Sequence, residues 1–264
     1  MMRPPLKRIE SIHGECILKN ELSSSPISKV FLCIFNDTEA VIRFDLPPAT
    51  KLALDRNHEI NVLKAVAHLD LSPKILYSDQ SEGILIWKHI PETEPIFSDQ
   101  LSKYSLHDLG SRLHSIHSTP LPHNSKDIFS NSLSLYESLL DSPSERILFS
   151  KFLNLYDELV RDGVSKVFSH NDLHRSNLLW DKKYYFLDWE YSSINHPCFD
   201  IASLVRSLQL NENQIDDLSI GYKYNREIFD LNILNQWIKC IECLDKIWEI
   251  SVTKIQKNLI SSKN

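Results

Sequence analysis

The sequence predicts an α+β fold with two lobes, in which a small β-rich lobe over residues 1–90 precedes a larger, mainly helical lobe over residues 91–264. Short β-prone runs dominate the first part of the chain, whereas apolar residues at helical spacing dominate the second. A polar stretch bracketed by Pro91 and Pro95 separates the two patterns and is typical of a hinge between lobes.

A hairpin is the clearest element of the N-terminal lobe, because two β-prone runs flank the turn signal Asn36-Asp37-Thr38. Period-two alternation places Val41 and Arg43 on the same face of the second strand. The predicted elements of this lobe are, in order, two strands, a helix and two further strands: Ser28–Phe35, Glu39–Phe44, Lys51–Asp70, Ile75–Tyr77 and Ile84–Trp87.

In the C-terminal lobe, helical periodicity is interrupted once, by a segment from Val167 to Trp189 that predicts a strand, a polar loop, a strand, a turn and a strand. Within it, Leu178–Trp180 and Tyr184–Leu187 are expected to form a hairpin. The predicted helices around this segment are Ser105–His117, Ser132–Leu140, Ser144–Leu159, Phe199–Leu210 and most of Ile228–Leu259.

Composition excludes several classes of protein. A net charge of −6 argues against nucleic acid as the main partner, because phosphate binding requires a basic face. The five cysteines are few and odd in number, which argues against a disulfide framework and favours a reducing cytoplasm. No apolar run is long enough to span a bilayer, and the start MMRPPLKRIE has no following apolar stretch of a secretory signal.

The segment between Val167 and Ser207 carries a pattern suited to phosphoryl transfer. That reaction requires a carboxylate to accept the proton of the attacking hydroxyl, and oxygen ligands to hold magnesium beside the phosphates. Asp172 and Asn177 lie on one predicted loop, and the hairpin after it carries Asp188 back to the same end of the structure. Each residue alone fits a turn or a cap, but their joint occurrence in this order predicts a catalytic site.

This segment resembles the aminoglycoside phosphotransferase and choline kinase superfamily, through its His-x-Asp-x-x-x-x-Asn loop and the sequence DWEY from residue 188. It looks most similar to the choline and ethanolamine kinases, including bacterial choline kinases. The resemblance implies a protein-kinase-like fold with ATP and Mg²⁺ as cofactors. It also implies Asp172 as catalytic base, Asn177 and Asp188 as metal ligands, His170 as support for the loop, and Asp200 as its structural brace.

The same resemblance assigns the nucleotide site to the N-terminal lobe. Arg43 corresponds to the cation that pairs with a helix glutamate and with the phosphates, and Glu59 is the expected partner. The loop over the phosphates is expected at Leu22–Ile27, with Ser24 and Ser25 as contacts. Glycines usual at that place are missing, which departs from the family pattern.

For the substrate, a small cationic alcohol is expected to meet aromatic faces and carboxylates. By resemblance, Glu190 and Tyr191 lie at the amino-alcohol site, and aromatic residues of the C-terminal helices line it. The aromatic residues offered there are Tyr222, Tyr224, Trp237 and Trp248, of which Trp237 and Trp248 are the preferred candidates. Cys240 and Cys243 are interpreted as core residues, since no second pair of zinc ligands is near them.

Choline is favoured over ethanolamine as substrate, and thiamine and the aminoglycosides remain alternatives within the class. A catalytically inactive, nucleotide-binding pseudokinase is the alternative from another class, supported by the glycine-free loop alone. A hydrolase, a P-loop NTPase and a Rossmann dehydrogenase are excluded, because the chain has none of the glycine-containing motifs that these sites require. The oligomeric state cannot be read from the sequence.

Overall fold

Five antiparallel strands form the sheet of the N-terminal lobe, in the spatial order β1-β2-β3-β5-β4. The structure is a computed structural model that describes residues 8–52, 54–91, 101–120, 126–223 and 228–262. This sheet and the helices after it confirm the predicted α+β, two-lobe fold. The strands are β1 (Cys16–Ser24), β2 (Ser28–Phe35), β3 (Thr38–Asp45), β4 (Ile75–Asp79) and β5 (Ile84–Lys88).

The predicted hairpin is β2 and β3, which pair from Ser28 opposite Asp45 to Phe35 opposite Thr38. Asn36 and Asp37 both have positive φ, of 46° and 60°, which is the backbone of the tight turn that the sequence predicted. On β3, Arg43 points away from the face where Ile42 and Phe44 pack into the sheet's own core. Alternation along this strand therefore directs the guanidinium towards the C-terminal lobe.

The structure differs from the prediction in two places in this lobe. β1 was not predicted, because its residues from Lys19 to Ser24 are all exposed and its pairing with β2 is irregular, so no alternation marks it. The helix predicted from Lys51 begins instead at Arg56, since the Asp55 side chain accepts hydrogen bonds from two backbone amides of the first turn. That helix, α1 (Arg56–Val66), is preceded by a 3₁₀ turn at Pro47–Lys51.

Six further helices make up most of the C-terminal lobe. Five of them match predicted helices within a few residues, whereas α6 was not predicted. The helices are α2 (Lys103–His117), α3 (Ile128–Leu139), α4 (Pro143–Leu159), α5 (Pro197–Leu208), α6 (Glu212–Gly221) and α7 (Leu231–Ser261). In the described ranges, none of the helices combines the length and the apolar composition needed to cross a bilayer.

Helices α2 and α6 approach each other closely at two glycines. A Cβ atom placed on Gly110 would lie 2.1 Å from the carbonyl oxygen of Leu218, and one on Gly221 would lie 2.2 Å from that of His107. No side chain fits at either position, so the two backbones are in direct contact. This packing brings α6 and the residue after it, Tyr222, against α2.

Two small antiparallel pairs interrupt the helices and carry the loops of the predicted catalytic segment. β6 (Val167–Ser169) pairs with β9 (Ser193–Asn195), and β7 (Leu178–Trp180) pairs with β8 (Tyr184–Phe186). The β7–β8 hairpin is the one that the sequence predicted, and β9 was not predicted. The hinge at Pro95 lies outside the described residues, and the lobe boundary at residue 90 stays a prediction.

Candidate active site

A cavity of about 590 Å³ lies between the two lobes. Its floor in the C-terminal lobe contains the loop after β6 and the residues after β8. One end has apolar walls from the N-terminal sheet, and the other end is lined by helices α3, α5 and α7. The residues at the sheet end include Ile27, Val30, Leu85 and Trp87, and those at the helical end include Phe129, Tyr136, Tyr191, Arg206, Asp245, Trp248 and Glu249.

Asp200 holds the loop after β6 in place. Its carboxylate is fully buried and accepts hydrogen bonds from the backbone amides of His170 and Asn171, each over 2.8 Å. Asn171 has a left-handed backbone with φ of 65°, which turns the chain so that both amides converge on Asp200. Oδ2 of Asp200, which accepts from the His170 amide, is also 3.1 Å from Nε2 of the buried His117.

His170 supports the same loop from below. Its Nε2 lies 2.9 Å from the carbonyl oxygen of Leu187, and its ring packs against Trp189 with centroids 4.7 Å apart. Burial lowers the pKa of His170, although the nearby carboxylates of Asp200 and Asp172 act in the opposite direction. A neutral imidazole that donates to a carbonyl positions the loop and has no direct access to a substrate.

Asp172 lies on the cavity wall with a third of its side chain exposed. The Asn177 amide nitrogen donates to both the backbone carbonyl of Asp172, over 2.9 Å, and its Oδ2, over 3.0 Å. His174 is 3.6 Å from the other carboxylate oxygen. Burial opposes the charged form of His174, yet Asp172 raises its pKa above the ordinary value. The carboxylate is thereby oriented by neighbours and remains open to the cavity.

Asp188 follows β8 in a left-handed conformation with φ of 61°, which turns its carboxylate into the same cavity. Its Oδ1 accepts from Nη1 of Arg43 over 2.9 Å. Burial and the neighbouring Glu190 carboxylate raise the pKa of Asp188 well above its usual range, although Arg43 opposes this shift. The hairpin thus brings Asp188 to the loop of Asp172, as the sequence pattern predicted.

Arg43 and Glu59 form a buried, two-pronged ion pair. Nη1 of Arg43 donates to Oε1 of Glu59 over 2.9 Å, and Nη2 donates to Oε2 over 2.6 Å. Burial alone would raise the pKa of Glu59, but Arg43 and the adjacent Arg56 lower it to about 2. The pair links strand β3 to helix α1, and Arg43 reaches from it to Asp188.

Arg56 was not identified from the sequence, although it contacts three carboxylates of the site. It binds Asp45 through Nε over 2.6 Å and through Nη2 over 2.9 Å, and its Nη1 donates to Glu59 and to Glu190. The available signal was its position, since Arg56 is one helical turn before Glu59 and so lies on the same face of α1.

Glu190, which was predicted to bind the substrate, lines the cavity, and its carboxylate accepts a hydrogen bond from an arginine. The side chain is 4% exposed, is hydrogen-bonded to Arg56, and lies 3.9 Å from Arg43. Burial raises the pKa of Glu190, while the two arginines act against that shift. The group belongs to a buried charge cluster beside Asp188, and other residues form the helical end of the cavity.

The loop predicted to lie over the phosphates, Leu22–Ile27, contains the end of β1 and the turn between β1 and β2. Ser25 Oγ accepts hydrogen bonds from the backbone amides of Ile27, over 3.2 Å, and Ser28, over 3.0 Å. Ser23 and Ser25 line the cavity, whereas Ser24 is exposed and does not. The prediction for Ser24 is therefore corrected, because alternate residues of a strand point to opposite faces.

At the helical end, Trp248 lines the cavity beside Tyr191, and Tyr136 of α3 lines the same end. Burial raises the pKa of Tyr136 to about 12. The prediction that Trp237 lines the substrate site is wrong. Trp237 is fully buried in the core and stacks on His196 with ring centroids 4.9 Å apart.

Sequence reasoning missed several residues at this end, since helical periodicity does not tell a cavity wall from the core. They are Phe129, Tyr136, Asp245 and Glu249. Tyr222 is buried against His117 outside the cavity, and Tyr224 lies outside the described residues.

The residues around Asp188 suit a divalent cation. Asn177 donates through its nitrogen, and neither its Oδ1 nor Oδ2 of Asp188 has a hydrogen-bond partner in the described part of the chain. Two arginines face four carboxylates, which leaves two excess negative charges when all six are ionised. Nowhere in the described ranges do three His, Cys, Asp or Glu side chains converge on one metal position.

Comparison with known proteins identifies the family. Residues 21–231 match the model described as "Phosphotransferase enzyme family". The chain is 24% identical over 156 residues to a LicA homolog of Mycoplasma capricolum subsp. capricolum, which covers 59% of this chain and 63% of that relative.

Two solved structures share the fold over nearly the whole chain. Choline kinase LicA from Streptococcus pneumoniae superposes with a TM-score of 0.73 at 18% identity, covering 96% of this chain and 95% of that one. A LicA structure in complex with AMP gives a TM-score of 0.74 at 18% identity, covering 94% and 88%.

Proposed function

The chain belongs to the phosphotransferase enzyme family, and on that premise we propose that it transfers the γ-phosphate of ATP to the hydroxyl of a small cationic alcohol, choline above ethanolamine. The observation that carries the proposal is the position of Asp172 on the wall of one cavity, with Asn177 and Asp188 beside it and an aromatic end within the same space.

Asp172 is the general base of this reaction. Its carboxylate is oriented by the Asn177 amide and open to the cavity, so it can accept the proton of an alcohol that approaches from the helical end. The loop that carries it is fixed through two backbone amides by Asp200, so little reorganisation is required when the substrate binds.

The phosphate side of the site is the cleft below the N-terminal sheet. Magnesium, when bound, would neutralise phosphate charge as it develops during transfer. Asn177 and Asp188 are the residues that would hold it, through the two oxygens that have no partner in the described chain. Arg43 is held between Glu59 and Asp188, where its guanidinium lies next to the expected position of the phosphates.

The helical end is suited to a quaternary ammonium group. Such a cation has no N–H donors, so it is recognised by aromatic faces and by charge rather than by hydrogen bonds. Tyr191, Tyr136 and Trp248 supply aromatic surface, and Glu249 supplies negative charge at the rim. An aminoglycoside carries several amines, each of which needs a negative partner. The carboxylates that line this end are Asp245, which is paired with Arg206, and Glu249, too few for such a substrate.

A substrate panel tests the proposal. Choline, ethanolamine, thiamine and kanamycin are each offered with ATP and Mg²⁺, with ADP release coupled to NADH oxidation and the phosphorylated product identified by mass spectrometry. We expect the highest kcat/KM with choline and a lower value with ethanolamine. Turnover restricted to thiamine or to kanamycin would exclude the choline assignment, and ADP release that persists in Asp172→Asn would exclude the mechanism.

A further inference from the structure

Arg56 has no part in the reaction as described, yet it is hydrogen-bonded to three carboxylates of the cleft, whereas Arg43 is hydrogen-bonded to two. Its side chain is 13% exposed and contacts Asp45 on β3, Glu59 on α1 and Glu190 in the C-terminal lobe. We propose that Arg56 is a positioning residue, which holds Glu190 away from Arg43 and so keeps Arg43 available to Asp188. This inference rests on the proposed function, since it concerns the same site.

The distances define the competition. Nη1 of Arg43 is 2.9 Å from Oδ1 of Asp188 but 3.9 Å from Oε2 of Glu190, and that same Oε2 is hydrogen-bonded to Arg56. Two carboxylates in adjoining positions therefore have one arginine each. Because both lie in a poorly solvated cleft, neither can be left without a partner at low cost.

Removal of Arg56 would leave Arg43 as the remaining guanidinium among the four carboxylates of this cluster. Glu190 is already close to Arg43, and a small rotation would bring it into hydrogen-bond range. Asp188 would then lose its partner and its fixed orientation. Since Asp188 is the carboxylate expected to hold the metal, magnesium affinity would fall before acceptor affinity does.

The position of Arg56 also couples the two lobes. Glu59 and Asp45 belong to the N-terminal lobe, whereas Glu190 is two residues after Asp188 in the C-terminal lobe. One guanidinium thus connects the strand, the helix and the metal-side turn. A lysine has the charge but a single nitrogen head, which cannot reach all three carboxylates with the same geometry. We therefore expect Arg56→Lys to restore only part of what Arg56→Gln loses.

The test compares Arg56→Gln with Arg112→Gln. Arg112 is equally enclosed, at 14% side-chain exposure, and it also connects the lobes, but through the backbone carbonyls of Tyr184 and Asp70 instead of through the carboxylates of the cleft. Both variants lose a largely buried guanidinium. Only Arg56→Gln loses contacts to the carboxylates of the cleft. An effect seen in Arg56→Gln but not in Arg112→Gln therefore reports on positioning of the site and not on a general loss of stability.

Binding of ADP is measured by calorimetry over a series of Mg²⁺ concentrations, together with KM for the acceptor and kcat. In Arg56→Gln we expect the Mg²⁺ concentration for half-maximal ADP binding to rise by at least about fivefold, the lower end of typical coupling between sites. Acceptor KM should change less than twofold. Arg112→Gln should leave the Mg²⁺ dependence unchanged and lower only the melting temperature.

A second substitution identifies the partner through which Arg56 acts. In the Arg56→Gln background, Glu190→Gln removes the carboxylate that would compete for Arg43, so Mg²⁺-dependent ADP binding should recover in part. An unaltered Mg²⁺ dependence in Arg56→Gln, or an effect on acceptor KM alone, would overturn the inference. The ADP measurement requires no turnover, so a failure of the choline assignment would appear separately, in the substrate panel.

Discussion

The indole nitrogen of Trp248 donates a hydrogen bond to the hydroxyl of Tyr191 over 3.0 Å. This contact joins helix α7 to the turn that follows Asp188, so the aromatic wall of the cavity is attached to the loop that carries Asp188. The relative position of the Trp248 and Tyr191 rings is therefore set by this hydrogen bond in the absence of a substrate.

Trp248→Ala should raise KM for the cationic alcohol by about 2- to 30-fold, the range expected for loss of a cation–π contact of roughly 0.5–2 kcal/mol. KM for ATP should stay within twofold, because the residue lies at the helical end. Steady-state kinetics with each substrate varied in turn give both values. Trp237→Phe is the control: this tryptophan is in the core, so stability should fall while acceptor KM is unchanged. A larger increase in acceptor KM for Trp237→Phe than for Trp248→Ala would show that Trp237 contacts the substrate.

Asp172→Asn should lower kcat by about 10²- to 10⁴-fold, the usual contribution of a general base. Asparagine keeps the shape and can still accept the hydrogen bond from Asn177, so melting temperature and ADP affinity should hardly change. Asp181→Asn, in the β7–β8 turn, is the control with unchanged kcat. Retention of more than a tenth of wild-type kcat in the Asp172 variant would rule out this base.

Asp200→Asn should cost about 1–3 kcal/mol of unfolding free energy, because one of two buried backbone amides would face an NH₂ group. The loss of loop geometry should also reduce kcat. Urea denaturation and kinetics measure the two effects. Asp230→Asn is the matched control, since both amides that Asp230 caps donate to one oxygen, which asparagine also has. Equal losses in the two variants would contradict a specific role for Asp200.

The hairpin of β2 and β3 and the β7–β8 hairpin were predictable, because turn residues and alternation are local properties of the sequence. The pairing of Arg43 with Glu59 and the approach of Asp188 followed from a family pattern. The contact of Arg56 with Glu190 and the position of the aromatic residues of α3 on the cavity wall were not predictable, since they join segments far apart in the chain. The position of Arg56 one helical turn before Glu59 was the one local signal. β1 was missed for a physical reason, as most of it is solvent-exposed and carries no alternation.

Stability should decrease as the pH falls from 7.5 to 5.5, in part through His196. Its Nδ1 accepts the backbone amide of Cys198 at the start of α5, and burial lowers its pKa, although Asp162 favours the charged form. A depressed histidine pKa contributes stability above the unfolded value of about 6.5, and this is lost as pH falls below it.

His196→Asn keeps a side chain that caps helices well but removes the titration, so the pH dependence of the unfolding free energy should become shallower. Urea denaturation at the two pH values gives the slopes. The absolute stability of the variant will also drop, because the stacking on Trp237 is lost. Identical slopes in the two proteins would show that His196 does not contribute.

Gly110→Ala should destabilise the protein by about 1–3 kcal/mol or more, as for other overpacked sites, because its Cβ would meet the carbonyl of Leu218. The neighbouring Ser111 is exposed, so Ser111→Ala should be nearly neutral. Thermal unfolding compares them. Since α2 and α6 are outside the cavity, kcat at low temperature should be the same in both, and a selective loss in Gly110→Ala would place this contact in the catalytic cycle.

The turn between β1 and β2 has a further consequence. Its amides at Ile27 and Ser28 are already satisfied by the Ser25 hydroxyl, so the turn is ordered without any ligand. A glycine loop loses backbone entropy when it closes over phosphates, about 1–2 kcal/mol per residue fixed, and a prefolded turn avoids that loss. The turn that covers the cleft is therefore ordered in advance and has fewer backbone amides free to bind phosphate than a glycine loop would have. Nucleotide should bind it with a small entropic penalty and depend more heavily on Arg43 and the metal for its enthalpy.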